Sequence, residues 1–228
     1  MSADLGALAL AYGKSFGFVF AALLPILNPA ATAPIFLGLT EGASTATRAV
    51  LARRIARNMV LLMTGAMLVG SYVLDIFGIS LPIVRVGGGL IVAANGWRLL
   101  NADHTTADRR QALAEAFTPD HARRQAFYPL TFPISCGPGS IAAAITLGVT
   151  LHDPVLPVSL ARFGGGVTAL VAVGVVMFLT FRYAVQMLRP LGETGTLVFL
   201  RLSAFILLCV GVQIVWDGIS ALVLSLSP

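Results

Sequence analysis

The sequence predicts an all-α membrane protein of six transmembrane helices, arranged as two inverted three-helix repeats, with helices 1 and 4 broken near the midplane. Three observations lead there. Hydrophobic residues make up 57% of the 228 and charged residues 11%, with a mean hydropathy of +0.88, whereas soluble domains carry about 25% charge. The apolar residues gather into stretches of bilayer length separated by short polar segments. Two of those stretches are interrupted by Pro, Gly and Asn just ahead of similar short words.

The first span runs from about Ser15 to Leu39 and is broken near Asn28. Its approach, Met1-Ser2-Ala3-Asp4, is not basic, Lys14 falls inside the apolar run, and no small-x-small cleavage pattern follows. The stretch therefore reads as a retained helix and not a signal peptide. The second span covers about Asn58 to Phe77 and the third about Ser80 to Leu100. A polar segment follows to about Arg124, with a short amphipathic helix expected around Arg109 to Phe117. The fourth span covers about Ala126 to Thr150, broken near Pro138, the fifth about Ala161 to Phe181, and the sixth about Thr196 to Leu222. One membrane domain, 1–228, results: repeat one at about 8–101, a cytoplasmic linker at about 102–125, and repeat two at about 126–224.

The net charge of +5 and a pI near 9.9 raise the question of nucleic acid. The basic residues are scattered through the polar segments instead of forming a patch, so no nucleic acid partner is expected. Arg48, Arg53, Arg54 and Arg57 follow the first span, Arg98, Arg109, Arg110, Arg123 and Arg124 follow the third, and Arg182 and Arg189 follow the fifth. The other side keeps only Lys14 and Arg162. The positive-inside rule places the three basic segments in the cytoplasm and both termini outside. Cys136 and Cys209 both fall in spans and suggest no disulfide framework, and His104, His121 and His152 lie in polar segments.

Ile35, Leu37, Gly38 and Thr40 recur 110 positions later as Ile145, Leu147, Gly148 and Thr150, each set behind a break. In a second echo, Arg85 with Gly87, Gly88, Gly89 and Asn95 in the third span resembles Arg201 with Ser203, Ala204, Gly211 and Gln213 in the sixth. A three-span unit ends on the side opposite its start, so its tandem copy inserts upside down. The two broken helices then meet from opposite sides.

Broken helices expose backbone polar groups and persist only where protein buries them or a cavity receives them. Asn28 is a good cap and Pro29 a good first helical residue, so a half-helix could begin at Pro29; a start near Pro34 with Thr32 as cap is the alternative. Gly137-Pro138 gives the same kind of start, Gly139 allows close approach, and Ser140 adds a hydroxyl. Half-helix N-termini suit a carboxylate, and unwound carbonyls suit an ammonium group or a cation. A small zwitterionic solute fits, recognised around Asn28, Pro29, Thr32, Ser135, Cys136, Gly137, Pro138, Gly139 and Ser140. Proline kinks and small residues also serve helix packing, which is the competing explanation. Arg85 and Arg201 read equally as gates or counter-charges and as snorkelling side chains. Asn95 and Gln213 suit interhelical hydrogen bonds, and Asp217 an interfacial place.

No Glu or His lies within a span, which argues against a proton pump built on a carboxylate relay. No Walker loop, metal-ligand cluster or catalytic triad pattern is present, so neither an enzyme, a cofactor nor a metal site is expected. A coupling ion, Na⁺ or H⁺, stays open.

The stretch Asn28-Pro29 … Pro34-Ile35-Phe36-Leu37-Gly38-Leu39-Thr40-Glu41-Gly42 resembles the first-helix signature of the MarC family, also called the neutral amino acid transporter family. Phe77-Gly78-Ile79-Ser80 … Arg85-Val86-Gly87-Gly88-Gly89 resembles its third, and Pro129-Leu130-Thr131-Phe132-Pro133 … Gly137-Pro138-Gly139-Ser140-Ile141 its fourth. The resemblance covers nearly the whole chain. It implies a six-span protein of the bacterial inner membrane, with transport of small neutral amino acids such as alanine, glycine and serine. Ser135-Cys136 departs from the small or apolar residues that many members carry before Gly-Pro-Gly. The reading is thus a secondary transporter working by alternating access in the lipid bilayer. The alternatives are an exporter or channel for another small polar metabolite, or a non-transporting scaffold.

Overall fold

The computed structural model describes residues 5–40, 43–101 and 126–226, and the linker with its expected amphipathic helix lies outside them. The described residues form helices and contain no strand. In chain order these are α1 (Leu5–Leu27), α2 (Pro29–Leu39), α3 (Thr45–Ile76), α4 (Leu81–Leu100), a wide-turned segment (Ala126–Ser135), α5 (Pro138–Leu151), α6 (Leu156–Arg182), α7 (Ala184–Leu188), a single tight turn (Arg189–Leu191) and α8 (Gly192–Leu226).

Among the described residues, five stretches are long and apolar enough to cross a membrane: Leu5–Leu37, Thr45–Ile76, Leu81–Leu100, Leu156–Arg182 and Thr194–Ser225. The stretch expected as one broken fourth span divides instead into the wide-turned segment and α5. The latter has 14 residues. At 1.5 Å per residue α5 is about 21 Å long, short of the roughly 30 Å hydrocarbon core.

Several helices start earlier than their apolar stretches. The α3 helix begins at Thr45, so Arg48, Arg53, Arg54 and Arg57 occupy its first turns instead of a loop. Ser44 sets that start, since its hydroxyl accepts from the Thr47 amide at 3.1 Å. Similarly α1 begins ten residues ahead of Ser15, at Leu5, with Lys14 exposed on its surface. Hydropathy marks the part of a helix that lipid covers, and arginine and alanine are good helix formers beyond it.

The core lies where α1, α3 and α6 meet the broken stretches. Met59, Met63 and Met67 line one face of α3 at four-residue spacing and are buried with Leu23, Leu27, Leu130 and Val173. Phe36 stacks on Phe181, with ring centroids 4.7 Å apart. Trp97, Trp216 and many Leu and Val side chains are exposed on the outside, the inverse of a soluble surface.

Glycines set the closest approaches and reveal the helix directions. On α4, Gly89 faces the Val215 amide of α8, and Gly96 faces the Leu208 amide, so these helices run antiparallel. The Ile145 side chain of α5 meets Gly70 of α3, while Gly148 rests on the Met67 carbonyl, again antiparallel. Gly174 of α6 lies by Val60 of α3 and Gly166 by Met67, so α3 and α6 are antiparallel too. The α1 helix packs along α6, where Gly165 sits on the Tyr12 carbonyl.

Candidate functional site

Asn28 interrupts the first stretch. Its backbone is left-handed, at φ 41° and ψ 62°, and it is the non-glycine residue with positive φ among those described. Its side-chain oxygen accepts from the Ala31 amide at 3.2 Å and so caps α2, which begins at Pro29. Pro34 lies inside α2, so Thr32 is not the cap. The Asn28 amide group donates to the Ser203 carbonyl of α8 at 3.4 Å. Pro25, Pro29 and Pro34 have no amide hydrogen, so the carbonyls of Ala21, Pro25 and Ala30 lose their i+4 donor.

The second stretch is interrupted more deeply. Tyr128 (φ −119°, ψ 123°), Phe132 (φ −116°, ψ 127°) and Gly137 (φ −80°, ψ 171°) are all extended, and each precedes a proline. Proline disfavours the α conformation in the residue before it, which accounts for all three. The prolines have the same spacing in both stretches: Pro25, Pro29, Pro34 and Pro129, Pro133, Pro138. In this proline register, six residues short of the 110-residue offset of the later words, Asn28 falls on Phe132, and both leave the helical conformation.

The hydroxyls near the breaks turn back on the chain. Thr131 donates to the Ala126 carbonyl at 2.6 Å, Ser135 to Leu130 at 2.8 Å, and Ser140 to Gly137 at 2.7 Å. Thr32 lies 3.2 Å from the Asn28 carbonyl and 3.1 Å from that of Pro29. These bonds satisfy the hydroxyls within the chain itself, and the Asn28 and Gly137 carbonyls also accept amides, from Thr32 and from Ser140 and Ile141. Cys136 is fully buried in the apolar core, and its amide donates to the Thr131 carbonyl at 2.7 Å. The N-terminus of α5 is different, because Gly137 supplies no side-chain cap.

The broken stretches are neighbours: α1 packs on α5, and α2 touches the wide-turned segment. Both back onto the antiparallel pair α4 and α8. Asn28 reaches Ser203 of α8, while Gly139 lies against Val92 and the Gly88 carbonyl of α4, where a Cβ would find no room. Both arginines lie on this helix pair. Arg201 donates to the Leu100 carbonyl at the C-terminus of α4, a capping contact, and Arg85 lies near the start of α4 without an acidic partner among the described residues. The sequence marks Arg48 only as an orienting charge, whereas here it donates to the Thr40 carbonyl at 3.0 Å and ties the end of α2 to α3. Asn58, in the sequence only the start of the second span, donates to the Thr131 hydroxyl at 3.5 Å.

Residues 13–223 of the chain match the family model described as MarC family integral membrane protein. The chain belongs to the MarC family. It is 32% identical to the UPF0056 inner membrane protein MarC of Escherichia coli O1:K1 / APEC over 208 residues, covering 90% of this chain and 94% of that one. The proteins of the same name from Escherichia coli strain K12 and Shigella flexneri are each 31% identical over the same shares. No solved structure matches. This MarC-family chain is thus an integral membrane protein, with relatives named for the inner membrane.

Proposed function

We propose that the chain is a secondary transporter of small neutral amino acids of the alanine, glycine and serine kind. It works by alternating access between two inverted three-span halves, with the fourth crossing made by the wide-turned segment and α5. One observation carries the reading: two stretches with the same proline spacing are both interrupted, are neighbours, and back onto one helix pair. Counterpart helices run antiparallel, α3 against α6 and α4 against α8, which supports the inverted repeat. The basic segments then face the cytoplasm and both termini face the periplasm.

The chemistry follows from the backbone. A substrate carboxylate takes the Gly139 amide in the first turn of α5, where no side chain caps the helix and the Ser140 and Ile141 amides donate to the Gly137 carbonyl. The ammonium group takes carbonyls freed by proline, such as those of Pro25 and Ala30. Two such ends select a zwitterion over a simple anion or cation. Arg85 and Arg201 stay outside the site, Arg201 as a cap.

Counterflow of labelled alanine, glycine and serine in proteoliposomes, with and without Na⁺ and pH gradients, tests the proposal. Saturable counterflow of at least one of them is expected. Flux that never saturates points to a channel, and no flux of any of the three sinks the amino-acid assignment.

A further inference from the structure

A groove between α3 and α6 has an almost wholly apolar lining, to which Arg53 and Arg57 contribute their hydrocarbon stems. We propose that it binds one anionic phospholipid, with Arg53 and Arg57 holding the headgroup phosphate and the floor holding an acyl chain. The groove has a volume of about 280 Å³ and is lined by Arg53, Arg57, Val60, Val175 and Phe178, among others. Gly174 lies against Val60 at its floor, and Leu61 and Val175, 65% and 51% exposed, form its outer rim.

Three features select the occupant. First, Arg53 and Arg57 are one turn apart on the same face, where like charges repel unless an anion lies between them. Both are exposed, and among the described residues neither has an acidic partner. Second, α3 is apolar for most of its length beyond Asn58, so the arginines stand at headgroup level with the groove running inward from them. Third, no acidic residue lines the groove. A second copy would set arginine against arginine, and free phosphate would gain nothing from the apolar floor. The proposal rests on membrane insertion alone and is independent of what the chain transports.

Native mass spectrometry of the detergent-purified protein tests this, with phosphatidylglycerol, phosphatidylcholine of the same acyl chains, and glycerol phosphate as probes. One tightly held phosphatidylglycerol is expected, with phosphatidylcholine at least about tenfold weaker and glycerol phosphate neither binding nor competing. Arg53→Gln and Arg57→Gln should each weaken binding about fivefold and the double variant about 25-fold, from roughly 1 kcal/mol per arginine. Val175→Trp, which plugs the groove, should weaken binding with both arginines intact. Arg98→Gln, an exposed arginine of α4, should leave it unchanged. Equal retention of the two lipids by the unaltered chain would overturn the proposal, as would full competition by glycerol phosphate. A disulfide-linked dimer of Val175→Cys in a Cys209→Ser background would give the groove to a second copy and overturn it too.

Discussion

Asn28 holds a left-handed backbone that costs most residues about 1–2 kcal/mol and that Asn and Gly tolerate. It also caps α2 and donates to Ser203. Asn28→Gly keeps the backbone and loses the side-chain bonds, whereas Asn28→Ala loses both. Thermal unfolding in detergent should rank the native chain above Asn28→Gly, and Asn28→Gly above Asn28→Ala, with the last about 2 kcal/mol below native. Gly137 gives a test of opposite sign. Its extended backbone suits a capping carboxylate, and it now supplies none. Gly137→Asp should hold or raise stability by a few tenths of a kcal/mol and abolish counterflow, because the new carboxylate occupies the substrate's place. Gly139 is a poorer probe, because any side chain there meets Val92 before it meets a solute. The sequence named Asn28 and Gly137 as caps from residue type alone. It could not reveal that Ser135, Ser140 and Thr32 spend their hydroxyls on their own carbonyls, because that depends on turn geometry.

Helix positions were legible wherever apolar length decides them, and α4 starts and ends within a residue of expectation. Helix starts such as Thr45 were not, because capping and propensity carry a helix past the point where lipid stops. The fourth stretch was legible as interrupted but not as a 14-residue helix behind three extended residues. Its signal was present in the Pro-x₃-Pro-x₄-Pro spacing shared with the first stretch. The spacing gives the sites of disruption but not its degree, since Leu24 precedes a proline and stays helical while Tyr128 does not. Between elements, Gly148 is the tightest point, with its missing side chain replaced by the Met67 carbonyl of α3. Gly148→Ala should cost about 1–3 kcal/mol and broaden the gel-filtration profile. Gly65→Ala, with open space around it, should be neutral or slightly stabilising by the same measurements.

For the molecule as a whole, α4 and α8 form a tightly packed antiparallel pair, with glycines from both helices at backbone contact. The broken stretches lie against that pair from either half, Asn28 on α8 and Gly139 on α4. Alternating access requires that solvent reach this junction from each face of the membrane in turn. Side-specific thiol labelling tests that requirement most directly. The chain carries Thr32→Cys in a Cys136→Ala and Cys209→Ser background, in sealed vesicles of each orientation, with a membrane-impermeant reagent. Two interconverting states predict labelling from both sides, slowed by alanine, glycine or serine. Labelling from neither side in a folded chain, or from one side at a rate that none of the three amino acids alters, would contradict a shared, alternately exposed site.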